Sequence, residues 1–355
     1  MNNQAKRWLV GLGSALLLST TVHAAEQKLF LFNWSQYMDP DIIKAFEQKY
    51  HVDVVQSYYG SLDEMYAKLQ AGGDSQYDII VPSNYFVPRL VKAGLVQPLN
   101  KAELPNLDNV MDRFKDPSYD PGEKYTAPYQ WGITGIVYNA KVFPHAPDSW
   151  SLLFDPKENE GQPFSMISDG QVLFGAACAY LGKGYNCTGQ QNWVDAAKLV
   201  LKTKQRSNFT GFIDGTPVLQ QVARGVTQVG MTYNGDFLAD KESNPEGFKD
   251  LEFMIPKEGA EVWVDSMMIP RRAPHPKLAH EFINFILNPK IGAQLSNYNM
   301  YSTPNKASVQ YLDPLLRKPP ALPTPEQMKR LEFTPSLDGK QLQLFQQIWS
   351  DVKSR

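Results

Sequence analysis

The pattern of apolar and polar residues predicts three short β-strands in the first quarter of the chain, with a helix between successive strands. Apolar runs of strand length occupy residues 28–33, 52–57 and 77–81. Asp39 followed by Pro40 is typical of a helix N-terminus, and Ser61 and Glu64 have the spacing of a capping box. This order of strands and helices is that of βαβ units, which form a parallel sheet with helices on its faces.

The second half of the chain continues this alternation. Amphipathic helices are predicted at residues 191–204 and 277–287, and strands at residues 229–233 and 266–270. Both halves therefore predict α/β domains. In such sheets a ligand binds beyond the carboxyl ends of the strands, so the residues that follow predicted strands are the first candidates for a binding site.

Residues 1–24 form a separate unit with the pattern of a secretory signal peptide. Lys6 and Arg7 supply positive charge, residues 8–19 are mostly apolar, and Ala24 ends a segment suited to cleavage. We therefore predict cleavage after Ala24 and export of the remaining chain. A membrane anchor is the alternative, but the apolar run is shorter than a bilayer requires.

The composition is that of a globular protein of two domains. The chain has 355 residues, of which 43% are hydrophobic and 20% charged, so it can bury a sizeable core. Its 35 Lys and Arg residues nearly balance 37 Asp and Glu residues, which argues against nucleic-acid binding. After the signal peptide no apolar segment is long enough to span a bilayer, so no membrane insertion is predicted. Aromatic residues make up 12% of the chain, more than a core strictly needs.

The two cysteines, Cys178 and Cys187, are nine positions apart. In the oxidising compartment that an exported protein enters, they are predicted to form a disulfide that closes a short loop. The alternative is that Cys178, which lies in an apolar segment, is a free and buried small side chain. Both alternatives give the cysteines a structural role.

Aromatic residues and carboxylates recur close to the ends of predicted strands. Such positions are Trp34, Tyr37, Tyr85, Tyr233, Asp236, Trp263, Asp265 and Tyr301. Trp263 and Asp265 share one face of an extended segment just before a predicted strand. Aromatic faces attract an ammonium group, and carboxylates accept hydrogen bonds from its N–H groups. The pattern is typical of a site for an organic cation, although each aromatic residue taken alone is more often part of the core.

Five short segments carry a resemblance to a known family. They are Asn-Trp-Ser-Gln-Tyr at 33–37, Asp-Ile-Ile-Val-Pro-Ser-Asn-Tyr at 78–85, Pro-Tyr-Gln-Trp-Gly at 128–132, Trp-Val-Asp-Ser at 263–266 and Tyr-Ser-Thr-Pro-Asn at 301–305. In this order they resemble the periplasmic polyamine-binding proteins, the spermidine/putrescine-binding components of bacterial ABC importers. The resemblance extends from about residue 28 to the C-terminus.

The resemblance implies an α/β, type II periplasmic binding protein fold, in which two lobes close by a hinge motion on a ligand in the cleft between them. The N-terminal lobe would comprise residues 25–131 and 259–304, and the C-terminal lobe residues 132–258 and 305–355. The chain would cross between the lobes near residues 131–132, 257–259 and 304.

The resemblance also implies which residues line the cleft. An aromatic box around a methylene chain would be formed by Trp34, Tyr37, Tyr85, Trp263 and Tyr301. The carboxylates that receive amino groups would be Asp169, Asp236 and Asp265. The remaining ligand-binding positions would be Ser35, Gln36, Ser83 and Tyr233.

Three positions depart from the pattern of that family. Residue 36, usually acidic, is Gln36; the tryptophan expected before Asn-Gly is Tyr233; and an acidic position one turn after Asp169 is Val172. Because a buried ammonium group needs a partner, fewer carboxylates predict a shorter diamine or a ligand with one strong cation.

The predicted function is that of a monomeric periplasmic solute-binding protein. It would capture a polyamine in the cleft and deliver it to an ABC permease in the inner membrane, without a cofactor or a metal. Two binding alternatives remain, an amine-sensing or regulatory protein on the same scaffold and a receptor for a non-polyamine cation. Neighbouring genes for a permease and an ATPase would favour transport over sensing.

The sequence gives little support for catalysis. It contains no Gly-x-Ser-x-Gly elbow, P-loop or Cys-x-x-Cys motif, and His275 and His280, separated by Pro276, do not fit a His-Glu-x-x-His site. Two acidic residues could act as the acid and base of a secreted hydrolase, which stays as a remote alternative. We therefore predict that the chain is not an enzyme.

Overall fold

The computed structural model describes residues 27–159 and 161–355; the predicted signal peptide lies outside the described residues. The strands are β1 (Gln27–Trp34), β2 (Val52–Tyr59), β3 (Ile79–Ile80), β4 (Val96–Gln97), β5 (Ala127–Asn139), β6 (Phe164–Ile167), β7 (Phe209–Ile213), β8 (Val229–Tyr233), β9 (Leu251–Met254), β10 (Ala260–Met267), β11 (Ile269–Pro270) and β12 (Leu331–Glu332). The helices are α1 (Pro40–Tyr50), α2 (Leu62–Gln70), α3 (Val87–Lys92), α4 (Ser151–Phe154), α5 (Gly170–Tyr180), α6 (Gln190–Lys204), α7 (Gly215–Ala223), α8 (Asn234–Ser243), α9 (Pro276–Ile286), α10 (Pro289–Asn299), α11 (Pro325–Met328) and α12 (Gly339–Ser354).

The first three strands form a parallel sheet, as the sequence predicts. β1 lies between β2 and β3 and pairs with both in parallel. The predicted N-cap of α1 is confirmed, because the Asp39 side chain accepts a hydrogen bond from the backbone N–H of Asp41. The strand predicted at residues 77–81 is shorter, since only Ile79–Ile80 pairs with β1.

The capping box predicted before α2 is half formed. Ser61 accepts a hydrogen bond from the backbone N–H of Glu64, as expected. The Glu64 carboxylate, however, accepts its hydrogen bond from the backbone N–H of Gly60 and not from that of Ser61. The cap therefore extends one residue further back along the chain than the motif predicts.

A larger mixed sheet contains the other long strands, in the order β12-β10-β5-β8-β6-β7, with β9 also paired to β5. β5 is antiparallel to β10, β8 and β9, whereas β6 is parallel to β7 and β8. The interpretation of residues 262–265 as preceding a strand was wrong, since they lie inside β10. The strand predicted at 266–270 is divided between the end of β10 and β11. Pairing with the distant β5 extends β10 towards its N-terminus, which the local sequence pattern does not reveal.

The end of β10 connects the two sheets. After Asp265 its register with β5 shifts, and the backbone N–H of Ser266 donates a hydrogen bond of 3.0 Å to the carbonyl of Pro82. Met268 then forms an antiparallel bridge with Ile80 of β3. The loop that follows β3 therefore lies directly beside Asp265.

The helices cover these sheets and complete the cores. The ring of Phe46 in α1 packs against that of Phe282 in α9, and Phe345 and Trp349 in α12 pack against Phe174 in α5. The α/β class that the sequence predicts is confirmed by this arrangement of sheets and helices. The boundaries of the two lobes and the crossing points stay predictions.

Cys178 and Cys187 form the predicted disulfide, which joins α5 to the loop before α6. Both cysteines are buried, so the bridge that closes this loop of eight intervening residues lies inside the protein. Among the helices of the described residues, none has the length and apolar character needed to cross a membrane.

Candidate ligand-binding site

Asp265 lies at the centre of the candidate site, at the bulge where β10 shifts its register with β5, and is only 5% exposed. The Ser83 hydroxyl donates a hydrogen bond of 2.5 Å to Oδ1 of Asp265. Burial raises the pKa of Asp265 to about 7, although the hydroxyls of Ser83 and Tyr37 oppose this shift. In residues 27–159 and 161–355 no Lys or Arg forms an ion pair with it, so an ionised Asp265 is a buried charge without a counter-ion.

Tyr37 brings the loop after β1 to Asp265. Its ring packs edge-on against Tyr129 at 5.2 Å and Tyr301 at 5.5 Å, and its backbone carbonyl accepts a hydrogen bond from the Tyr129 hydroxyl. Burial and then the nearby Asp265 carboxylate raise the pKa of Tyr37. The hydroxyl of Tyr37 lies beside Asp265, but within the described residues it has no hydrogen-bond partner of standard geometry. This hydroxyl can therefore bind a polar group of a ligand.

Trp263 precedes Asp265 by two residues and lies on the same face of β10. Its ring covers Gly132 of β5, where a Cβ atom would lie 2.4 Å from the indole, so only glycine leaves room for the ring. The rings of Tyr301 and Tyr233 pack against it at 5.1 and 6.0 Å. Three aromatic rings thus lie together next to the central carboxylate.

Asp236 in the first turn of α8 is half-buried and is held by two hydroxyl groups. Tyr301 donates a hydrogen bond of 2.5 Å to Oδ1, and Thr216 donates one to Oδ2. Burial raises the pKa of Asp236, and these two hydrogen bonds lower it in part. The Tyr301 ring lies directly over Gly235, where a Cβ atom would be 2.3 Å away. The end of α10 and the start of α8 are therefore tightly joined.

Asp169 both caps a helix and contacts a residue of the candidate site. As the N-cap of α5, its Oδ1 accepts hydrogen bonds from the backbone N–H groups of Gln171 and Val172 at 2.8 and 3.1 Å. Its Oδ2 accepts a hydrogen bond of 3.2 Å from the Tyr85 hydroxyl. Burial raises the pKa of Asp169, which these hydrogen bonds partly offset. One carboxylate oxygen therefore caps the helix while the other faces the loop after β3.

The other residues of the loop after β1 lie at the margin of the cluster. Trp34 is half-buried, donates a hydrogen bond of 3.0 Å from Nε1 to the carbonyl of Val81, and packs against Tyr59 at 4.6 Å. Ser35 and Gln36 are exposed, and no side-chain hydrogen bond joins them to the cluster in the described part of the chain. Gln36 has a left-handed backbone, with φ of 56°, which turns the chain from Trp34 towards Tyr37.

The structure also places residues here that sequence reasoning missed. Glu261 is buried on the face of β10 that carries Trp263 and Asp265, and the two-residue period of a strand was the available signal for it. The side-chain oxygen of Asn84 accepts a hydrogen bond of 3.1 Å from the backbone N–H of Val264, which fixes the loop after β3 onto β10. Asn84 and Tyr129 lie in the motif segments 78–85 and 128–132, but their contacts join segments far apart in sequence, so the motifs alone did not assign them to the site.

A cavity of about 510 Å³ borders the cluster. Its lining includes Asn84, Tyr119, Phe333 and Thr334, but none of the predicted ligand-binding residues. Most of the predicted residues instead contact one another, whereas Ser35 and Gln36 are exposed. Aromatic rings beside buried carboxylates can surround a cation that also carries an apolar segment.

Comparisons with known proteins identify the family of this chain. Residues 41–324 match the family of bacterial extracellular solute-binding proteins. The putrescine/cadaverine-binding protein of Pseudomonas aeruginosa is 32% identical over 96% of this chain and 98% of its own length. The putrescine-binding periplasmic protein PotF of Escherichia coli K12 is 32% identical over 98% of both chains. The solved structure of the spermidine/putrescine ABC transporter substrate-binding protein PotD from Streptococcus pneumoniae has a TM-score of 0.81 and 27% identity, covering 93% of this chain and 99% of that one.

These similarities confirm the family resemblance, the periplasmic binding protein fold and the periplasmic location that the sequence predicts. The family is one of solute-binding transport proteins and not a family of enzymes. The chain therefore belongs to the bacterial extracellular solute-binding proteins.

Proposed function

We propose that this protein binds a polyamine of the putrescine and spermidine class at the candidate site and delivers it to an ABC permease in the inner membrane. The observation that carries this proposal is the buried carboxylate of Asp265, which accepts a hydrogen bond from Ser83 and lies beside Tyr37 and Trp263. An ammonium group would supply the missing counter-ion, and the methylene chain would pack on the rings. Relatives named for binding putrescine and cadaverine support the same ligand class.

Closure around the ligand follows from how the site is assembled. The hydrogen bonds Tyr85–Asp169 and Tyr301–Asp236 each join residues that the sequence assigns to different lobes. A ligand that contacts both lobes stabilises only the closed arrangement, so it shifts the population towards that arrangement. The proposal assigns Trp34, Ser35 and Gln36 to the rim of the closed site.

The proposed role is binding without catalysis, by a monomer whose partner is the permease. No cofactor or metal is assigned to it. The sensing alternative has the same ligand chemistry and is separated from transport by whether permease and ATPase genes lie beside this one.

One observation favours a second candidate, a cation that also carries a hydrogen-bond acceptor. The buried Nε1–H of Trp263 has no acceptor within the described residues. An ammonium group cannot accept this hydrogen bond, whereas the carboxylate of an amino acid could. Amino acids therefore belong in the same binding experiment as the polyamines.

Thermal unfolding with a ligand panel tests the proposed function. The protein is refolded to remove carried-over ligand and unfolded with putrescine, cadaverine, spermidine, spermine, agmatine, monoamines or amino acids. A ligand that binds the native state raises Tm by mass action. We expect a diamine or triamine to give the largest increase. An increase with amino acids alone would favour the second candidate, and no increase with any amine would contradict the proposal.

Ligand affinity is expected to depend on pH near neutrality. The ammonium group binds the ionised form of Asp265, whose pKa in the ligand-free protein is about 7. Because the ionised fraction of Asp265 falls about tenfold from pH 8 to pH 6, the affinity for a diamine should fall at least about tenfold as well. Isothermal titration calorimetry at constant ionic strength measures this change. Equal affinities at the two pH values would contradict the assigned role of Asp265.

The raised pKa of Asp265 also affects the stability of the ligand-free protein, but in the opposite direction: affinity rises with pH, whereas stability falls. The pKa of Asp265 is raised on folding, so the folded state binds more protons than the unfolded state between its ordinary value of 3.8 and about 7. The contribution of this group to the free energy of unfolding therefore decreases as the pH rises through that window.

A further inference from the structure

Glu261 is a buried carboxylate to which the proposed binding mode gives no role. It is 2% exposed and lies on the same face of β10 as Trp263 and Asp265, because side chains alternate along a strand. Strand geometry separates the Cα atoms of Glu261 and Asp265 by about 13 Å, with Trp263 midway between them.

Two threonine hydroxyls hold the Glu261 carboxylate in place. Thr134 donates a hydrogen bond of 2.6 Å to Oε2, and Thr334 donates one of 2.5 Å to Oε1. No Lys or Arg in residues 27–159 and 161–355 forms an ion pair with it. Since a carboxylate oxygen has two acceptor positions, Glu261 can still accept hydrogen bonds from an ammonium group.

The surroundings of Glu261 belong to the candidate site. Glu261 of β10 pairs with Thr134 of the neighbouring strand β5, and Thr134 pairs with Tyr233 of β8. These three side chains therefore lie on one face of the sheet. Burial is the largest cause that raises the pKa of Glu261 to about 7, and the charges of Asp169 and Asp265 add to it. A second acidic group therefore lies at the opposite end of Trp263 from Asp265.

Thr334, whose hydroxyl donates the hydrogen bond to Oε1 of Glu261, is also one of the residues that line the cavity of about 510 Å³.

A ligand with two ammonium groups needs two carboxylates. Gln36 is exposed and Val172 is buried and apolar, and neither provides one. Asp169 uses one oxygen to cap α5. Asp236, which like Glu261 accepts hydrogen bonds from two hydroxyls, is only half-buried and lies on α8 and not on β10. Glu261 is the fully buried carboxylate on the strand that carries Asp265.

We propose that Glu261 is a specificity-determining residue that binds the second terminal amino group of a diamine or triamine, while Asp265 binds the first and the chain between them lies along Trp263. This inference rests on the proposed function. The separation of the two carboxylates then selects the length of the ligand, and a monoamine gains nothing from Glu261.

Calorimetric titration of Glu261→Gln tests this inference. The ligands are butylamine, putrescine, cadaverine and spermidine, measured at pH 8 in the wild-type protein and the variant. We expect the variant to bind its best diamine or triamine at least about tenfold more weakly, because one ammonium loses its charged partner. The affinity for butylamine should not change. The ratio of the affinity for the diamine to the affinity for butylamine should therefore be smaller in the variant than in the wild-type protein.

Glu246→Gln is the control, because it removes the same charge from an exposed position. It should bind every amine as the wild-type protein does. If Glu261→Gln fails to fold, Glu261→Asp keeps the charge on a side chain one methylene shorter. It should bind the best diamine or triamine more weakly than the wild-type protein does, with the affinity for butylamine unchanged. Wild-type affinity for polyamines in Glu261→Gln would overturn the inference and leave the proposed function intact, whereas a wild-type protein that binds no amine would overturn both.

Discussion

Replacing Asp265 by Asn is expected to weaken the binding of a cationic amine at least about a hundredfold, equivalent to about 3 kcal/mol. Asn keeps the size of Asp and an acceptor for the Ser83 hydroxyl, but removes the charge. Because Asp265 is buried and no Lys or Arg of the described residues pairs with it, the ligand's ammonium group would be left in a buried site without a counter-ion.

The fold should not suffer from this substitution. At pH 8 the ionised carboxylate of ligand-free Asp265 opposes folding, since its pKa is raised by burial. We therefore expect the Tm of Asp265→Asn to equal or exceed that of the wild-type protein without ligand. Asp108→Asn is the control, because it removes the same charge from an exposed position. Wild-type affinity in Asp265→Asn would remove Asp265 from the site.

Replacing Trp263 by Ala is expected to reduce both affinity and stability. The indole is 8% exposed and packs against Tyr301 and Tyr233 over Gly132. Its removal leaves a cavity and should lower the free energy of unfolding by about 3 kcal/mol or more. The ligand loses an aromatic surface along its chain, and we expect an affinity loss of about a hundredfold. Calorimetry and thermal unfolding measure the two effects separately.

A second tryptophan separates the effect on binding from the effect on folding. Trp193 in α6 is 2% exposed, packs against Phe345 of α12 and is not among the predicted ligand-binding residues. Trp193→Ala should lower Tm to a similar extent while the protein that remains folded keeps its affinity. Trp263→Phe retains a ring and should recover part of the binding. Equal affinities of Trp263→Ala and Trp193→Ala would contradict a role of Trp263 in binding.

Much of the first sheet could be predicted because its signals are local. Asp39 before Pro40 sets the start of α1, and the apolar runs that become β1 and β2 need no distant partner to be recognised. β10 was predicted poorly for the opposite reason. Residues 262–265 join a strand because β5, more than a hundred residues earlier in the chain, pairs with them.

The candidate site shows the same division. Most of its aromatic residues and carboxylates were recognised as motifs. Contacts do join Tyr37, Tyr301 and Asp236, and Tyr85 donates a hydrogen bond to Asp169. Ser35 and Gln36 belong to the same motif as Tyr37, at residues 33–37, but they are exposed. A motif reports which residues occur together in sequence, whereas burial depends on how the chain turns after Trp34.

The sequence by itself determined the class of protein, its α/β elements and the residue types of a cation site, because signal peptide, periodicity and motifs are properties of short segments. Only the tertiary structure decided that Asp265 has no counter-ion within the described residues, that Gly132 makes room for Trp263, and that Glu261 is buried on the same face. Those properties depend on strands paired across long separations in sequence, and the low dielectric that raises the pKa of both carboxylates exists only once these strands are packed.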